Sequence, residues 1–388
     1  MTDADRLRVA LIASSFAPHI GGVEEHVAQL ARELAARGHR VEVWAVDRGA
    51  RPEEPFGHGI EVRYLPTPLP ARSLPDLWRF VLRAPRAWRL WSRARRGLRP
   101  DLLHVHCFGP NGLYALALHR RFGIPLIVTS HGETNGDDTS VFDRSALLRR
   151  GLRDALARAA VTTAPSEFVL SDLRARFGLV GGEIVVNGVD LDVIPEGEAP
   201  GGRYIVAVRR LGWMKGIDLL ITAFSLAVTG GRIDPEVRLV IVGDGPERGR
   251  LEEQIRHLGL GGRVDLLGWR TPPEVATLVA AAEAMVVPSR SEAFGIVALE
   301  AWRAGTALVM TSRGGASEFM TDGSDAVLVD PEDAVALAAV LERVTADADL
   351  RETLSAAGRA RVADFSWGGV VAQYERHYAK LTEPRAAS

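Results

Sequence analysis

Apolar residues along the chain fall into short unbroken runs, separated by longer stretches with helical spacing. The run Val9–Ala13 is strand-length and wholly apolar, the pattern of a parallel strand buried on both faces. Val27, Leu30 and Leu34 recur on one helical face within Val23–Arg37, and Gly38 stops that helix. Val41–Val46 is the next strand. Strand, Gly21-Gly22 pair, helix, strand makes a βαβ unit with a right-handed crossover. The runs Leu102–His106, Leu126–Ser130, Val161–Ala164 and Ile184–Val186 continue the pattern. A Pro- and Gly-rich stretch, Ile194–Arg203, then predicts a linker. Beyond it the same grammar restarts at Tyr204–Val208, Val237–Val242, Val264–Leu267, Ala284–Val287 and Ala307–Thr311. The expectation is an α/β protein of two Rossmann-like, doubly wound domains, 1–193 and 203–365. Open sheets of this kind bind ligands at the carboxyl ends of their strands, so a cleft between the two domains is the expected site.

Composition refines this reading in a few places. A net charge of −2 excludes a global electrostatic pull toward nucleic acid or membrane. The single cysteine, Cys107, allows no internal disulfide. With no leader pattern and no apolar run of membrane-spanning length, a cytoplasmic protein is expected. Only two of the 47 basic residues are lysines, Lys215 and Lys380, so a lysine inside a glycine-flanked loop stands out. The segment Arg72–Arg99 holds nine arginines, one acidic residue (Asp76), and Trp78, Phe80, Trp88 and Trp91. Two readings stand for it: peripheral attachment to an anionic membrane or acceptor, or a surface helix with buried tryptophans and Pro85 breaking its stripe. No nucleic-acid-binding module surrounds it.

The chemistry concentrates in two loops. In SRSEAFGIVALEAWRAG (Ser289–Gly305) a strand ends and a helix begins near Gly295. The backbone amides of Phe294, Gly295, Ile296 and Val297 are the orphan donors of that helix start, an anion site suited to a diphosphate. Glu292, in the loop, can accept hydrogen bonds from sugar hydroxyls, and Glu300, inside the helix, from a ribose diol. In VAVRRLGWMKGIDLLI (Val206–Ile221), Arg210 and Lys215 bracket a strand-to-helix loop. Two cations so spaced can embrace a diphosphate and stabilise the charge left on it as a sugar departs. GDGPERG (Gly243–Gly249) departs from a dinucleotide fingerprint in glycine spacing and by Pro246, and reads as a strand-to-helix turn. His104 and His106 share a strand face with no Cys, Asp or Glu cluster beside them, so they read as structural histidines.

EAFGIVALEA resembles the Glu-x7-Glu signature of retaining GT-B glycosyltransferases, most closely glycosyltransferase family 4. GGVEEHVAQLARELAARGHRVEV, PDLLHVHCF, IVTSHGE, VVNGVDLD, IVGDGPE and GGASEFMTDGSDAVLVDPED follow in that family's order, so the resemblance spans nearly the whole chain.

The resemblance implies a GT-B fold and transfer of a hexose or amino-hexose from a UDP- or GDP-linked donor. The acceptor would be a lipid-linked, glycan or small-molecule hydroxyl, and the anomeric configuration would be retained. It gives Arg210 and Lys215 the donor diphosphate, although the residue before this arginine is Arg209 where the family usually has glycine. It makes His131, after the strand Ile127–Ser130, a contact to the reacting sugar, and brings Gly21 and Gly22 near the diphosphate or acceptor. Glu24 and Glu133 are weaker candidates, because first-turn glutamates also stabilise helix dipoles. Trp269 and Arg270 would flank the base. The C-terminal helix, about 366–388, would pack back on the first domain. No cofactor and no metal are implied, because Arg, Lys and amides replace the divalent cation. A GT-B nucleotide-sugar epimerase and a non-catalytic nucleotide-sugar-binding protein are the alternatives. A nicotinamide dehydrogenase is disfavoured by the glycine spacing.

Overall fold

A computed structural model describes residues 6–19, 21–52, 56–70, 73–135 and 141–382, and all structural statements concern these. Arg72 and the residues from Glu383 onward fall outside that set. The chain divides into two compact units, Met1–Val186 with Trp367–Ser388, and Asn187–Ser366.

The first unit is built on seven parallel strands: β1 (Arg8–Ala13), β2 (Arg40–Val46), β3 (Glu61–Leu65), β4 (Leu102–His106), β5 (Leu126–Thr129), β6 (Val161–Ala164) and β7 (Glu183–Ile184). Their spatial order is β3-β2-β1-β4-β5-β6-β7. β1 and β4 are buried along nearly their whole length because helices cover both faces, which is why they read as unbroken apolar runs. β3, EVRYL, is an edge strand missed by the apolar-run criterion. Its Arg63 instead pairs with the buried Glu42 of β2, at 2.8 Å. The helix Trp367–Thr382 returns to this unit and contributes Val370, Val371, Tyr374 and Tyr378 to its core. Arg37 and His39 both hold Glu375 of that helix, at 2.6 and 3.1 Å.

The arginine-rich segment forms one helix, Leu74–Leu98, which continues through Pro85. Its second half is docked: Trp91 is fully buried, donates to the Pro66 carbonyl at 3.0 Å and stacks on Tyr114. Its first half is not: Leu77, Trp78, Val81 and Leu82 are exposed. No helix among the described residues is long and apolar enough to cross a membrane.

The second unit carries six parallel strands: β8 (Tyr204–Val208), β9 (Arg238–Val242), β10 (Val264–Gly268), β11 (Ala284–Val287), β12 (Ala307–Thr311) and β13 (Val327–Val329). They are ordered β10-β9-β8-β11-β12-β13. The Pro- and Gly-rich stretch 194–203 lies inside this unit, not between units. Glu196 bonds there to Pro273 and Thr277.

Both sheets reverse their winding once, between β1 and β4 and between β8 and β11. Loops leaving neighbouring strands diverge at such a point and open a crevice at the carboxyl edge.

Candidate active site

The crevice of the second unit collects most of the singled-out residues. Leaving β8, the chain makes a 3-10 turn at Trp213–Lys215 and enters the helix Ile217–Thr229 through Gly216. Gly216 has φ +65°, and a Cβ there would lie 1.9 Å from the Pro288 carbonyl oxygen. The loop after β8 thus packs backbone to backbone on the loop after β11, which only glycine permits. Arg290 reinforces the join: it is bidentate to Asp218 at 2.8 and 2.7 Å and lies over the Trp213 ring.

Glu292 sits at the centre of this junction. Its backbone is fixed by the Arg313 carbonyl and the Gly315 amide, at 3.1 and 2.9 Å. Its carboxylate is buried and accepts from Ser289 Oγ at 3.0 Å, from Lys215 Nζ at 3.2 Å, and from Arg209. Arg209 also donates to Ser289 Oγ at 2.7 Å and is itself buried. Burial alone would push the Glu292 carboxyl up, but the charges of Arg209 and Lys215 outweigh it and hold the group down to about 2. Glu292 is therefore an anion with a fixed orientation, able to accept hydrogen bonds and with no proton to donate.

The cation paired with Lys215 around Glu292 is thus Arg209, whereas Arg210 is exposed. Residues 209 and 210 follow the last strand residue, where one position decides which way a side chain points. Ser289 was also missed, although its place three residues before Glu292 was a signal.

The helix Ile296–Ala304 starts at Gly295, which has φ +90° and would meet Met310 Cε at 2.8 Å if it carried a Cβ. Ile296 and Val297 form its first turn, so their amides point out of the N-terminus with the positive end of the dipole. The Phe294 side chain is buried and stacked on Phe319 at 4.2 Å, so it offers a ligand only its backbone. Glu300 lies further along the helix and is half-buried. Beside this crevice, the loops after β8 and β9 and the end of β10 are laced by main-chain bonds from Leu211 to Asp244 and from Gly243 to Gly268. Trp269 follows and is 50% exposed. Arg270 bonds back to the Trp269 carbonyl, ahead of the capping box of Thr271 and Glu274.

In the first unit, Gly21 caps the helix Gly22–Ala36, and both glycines are exposed. His131 follows β5 and is half-buried, and Glu133 is what positions it. The Glu133 carboxylate accepts from Phe108 N at 2.8 Å, His131 N at 2.7 Å and Ser130 Oγ at 2.8 Å. It clasps the loop after β4 to the loop after β5, and is not a first-turn helix glutamate. Burial raises its carboxyl against these bonds.

Both ring nitrogens of His104 are used, by Tyr378 Oη and Thr129 Oγ1, each at 2.7 Å. His106 differs: its Nδ1 faces His131 Nε2 at 3.3 Å, and its buried Nε2 meets no partner. His26 completes the group from the helix after β1, its ring 4.7 Å from that of His131. Sequence reasoning passed it over, although its place four residues before Leu30 puts it on the helix's apolar face. Burial drives the imidazoles of His104, His106 and His131 well below the usual histidine range, so all three are neutral.

Comparison with known proteins places the chain in a family. Residues 20–193 match the model described as Glycosyltransferase Family 4, and residues 192–361 that of Glycosyl transferases group 1. A D-inositol 3-phosphate glycosyltransferase of Frankia alni is 31% identical over 95% of this chain and 96% of its own length. An MMP alpha-(1->4)-mannosyltransferase of Mycolicibacterium hassiacum is 29% identical over 97% and 99%. Among solved structures, sucrose-phosphate synthase from Thermosynechococcus elongatus superposes with a TM-score of 0.80 at 24% identity, covering 96% of this chain and 98% of that one. Anabaena HepE in complex with UDP and glucose gives 0.77 at 20%, covering 96% and 99%. These neighbours have the GT-B fold, two Rossmann-like domains, and the chain belongs to glycosyltransferase family 4.

Proposed function

We propose that the chain is a retaining hexosyltransferase that takes its sugar from a UDP- or GDP-linked donor. The observation that carries the reading is the buried Glu292 carboxylate, oriented by Arg209, Ser289 and Lys215 ahead of the helix start at Gly295. In this reading the donor diphosphate takes Lys215 and the amides of Phe294, Gly295, Ile296 and Val297. Arg209 stays with Glu292, and Arg210 reaches the phosphates from its exposed position. Glu300 accepts from the ribose diol, and Trp269 with Arg270 flanks the base. Glu292, kept ionised, accepts hydrogen bonds from sugar hydroxyls, and His131 is a second sugar contact. Gly21 and Gly22 border the acceptor. As the glycosidic bond breaks, positive charge at Lys215 and Arg210 stabilises the departing diphosphate. The leaving phosphate assists deprotonation of the acceptor hydroxyl on the same face of the sugar, which accounts for retention. No cofactor or metal enters this scheme.

The acceptor is a hydroxyl compound, and D-inositol 3-phosphate, named for the Frankia relative, is the first to test. The exposed Trp78, Val81 and Leu82 among arginines support peripheral contact with an anionic membrane from the cytoplasmic side. A thermal-shift screen against nucleotide diphosphates and their sugars tests the donor site. At a hundred times its dissociation constant, a ligand should stabilise the fold by about 2.7 kcal/mol, and Lys215→Ala should lose that shift. No shift with any uridine or guanosine diphosphate sugar would sink the reading. Proton NMR of the product's anomeric coupling then tests retention.

A further inference from the structure

We propose that His106 is a positioning residue that fixes the tautomer of His131, so that His131 meets the donor sugar as a hydrogen-bond donor through its Nδ1–H. The contact to the sugar rests on the proposed function; the proton positions do not. His106 is the last residue of β4, His131 follows β5, and the two strands pair side by side. His106 Nδ1 and His131 Nε2 lie 3.3 Å apart, so one of these two nitrogens carries the proton between them. Burial keeps both rings neutral. A neutral imidazole holds a single ring proton, and the hydrogen bond made by one nitrogen decides where that proton sits. Two arrangements follow: both rings protonated on Nδ1, or both on Nε2.

The far nitrogen of His106 separates the two. Its Nε2 is buried without a hydrogen-bond partner. Protonation on Nε2 would leave a buried N–H unmet there, which is costly, and native interiors hold an orphaned donor less often than an under-used acceptor. In water the neutral ring favours Nε2–H by only a small factor, too little to offset that cost. With Nε2 bare, His106 donates its Nδ1 proton to His131 Nε2, and the His131 proton is forced onto Nδ1. Two contacts restrain His131 in this pose. Its amide donates to Glu133 at 2.7 Å, and the His26 ring packs across its own at 4.7 Å and 74°. His131 is half-buried, and no hydrogen bond among the described residues occupies its Nδ1, so this N–H is the one left for a ligand. In the proposed reading the two sugar contacts then have opposite senses: Glu292 accepts from sugar hydroxyls, and His131 donates to a sugar oxygen.

Heteronuclear NMR of the full chain, isotope-labelled at its histidine ring nitrogens, reads the proton positions, because a bare ring nitrogen resonates far downfield of a protonated one. The His131 and His106 signals are those lost in His131→Asn and in His106→Phe. Both rings should carry their proton on Nδ1. In His106→Phe the His131 proton should move toward Nε2, the tautomer favoured in water. A proton on His131 Nε2 in the wild type overturns the proposal, and so does an Nδ1 proton that persists in folded His106→Phe. Should that variant not fold, the wild-type position of the His131 proton decides alone. A second measurement reads the sugar contact. The amide nitrogen of asparagine can overlie imidazole Nδ1 and that of glutamine Nε2, so kcat/KM of His131→Asn should exceed that of His131→Gln by about 10-fold, the worth of one hydrogen bond. Equal values overturn the contact through Nδ1. Loss of every nucleotide-sugar thermal shift would sink the transferase reading and leave the proton positions untouched, so the two can fail separately.

Discussion

Arg209 and Lys215 converge on the same oxygen of Glu292, Arg209 through its guanidinium and Lys215 through Nζ at 3.2 Å. One buried carboxylate thus answers two cations, of which only one is also needed by a diphosphate in the proposed reading. Lys215 can change partners because Arg209 keeps Glu292 ionised and in place.

Arg209→Met should therefore change pH behaviour as well as stability. Removing one partner of a buried pair costs about 3–5 kcal/mol. In the wild type the folded carboxyl sits near 2 against a reference of 4.5, so its stabilisation is complete above about pH 4.5 and is lost as pH falls toward 2. With Lys215 as the only opposing cation, burial should raise the Glu292 carboxyl and move the acid limb of kcat/KM upward, and Arg209→Lys should restore part of it. Identical acid limbs in the two enzymes would refute this account.

Glu133→Gln tests the clasp under His131. An amide keeps one acceptor oxygen but turns its NH2 donors toward either the Phe108 or the His131 N–H, which meet different oxygens of the carboxylate, at a cost of about 1–3 kcal/mol. Turnover should fall while nucleotide affinity, measured by thermal shift, holds. Equal loss of both would mean that the clasp is only structural.

The helix Leu74–Leu98 should carry the protein to vesicles containing anionic phosphatidylglycerol and not to neutral phosphatidylcholine, with binding weakened by salt. Trp78→Asp with Leu82→Asp should abolish sedimentation and leave the melting temperature unchanged, because both side chains are exposed. Sedimentation unaffected by this pair would assign the helix to ordinary surface.

Tyr378→Phe removes the hydroxyl that meets His104 Nδ1 at 2.7 Å and leaves a buried imidazole nitrogen unmet. The expected cost is about 1–3 kcal/mol, a fall in Tm of about 4 °C by calorimetry. An unchanged melt would mean that His104 finds another partner.

The sequence made the strands around the two switch points legible because strands covered on both faces must be apolar throughout. β3 and β13 were not legible: one is a charged edge strand, the other only three residues long. The Glu292 loop and Lys215 could be located from spacing and resemblance. What Arg209 and Arg210 do could not, because their difference depends on how the backbone turns after Val208. The histidine group was hidden for another reason. His26, His106 and His131 are far apart in the chain, and only the pairing of β1 with β4 and β4 with β5 brings them together.

The helix Trp367–Thr382 belongs to a unit whose other residues precede position 187. During synthesis, the whole of 187–366 must leave the ribosome before Tyr374 and Tyr378 can reach His104. The first unit, although translated first, waits with an apolar face uncovered until its last helix emerges, so a chain cut before position 367 would leave bare the surface that Val370, Val371, Tyr374 and Tyr378 otherwise cover.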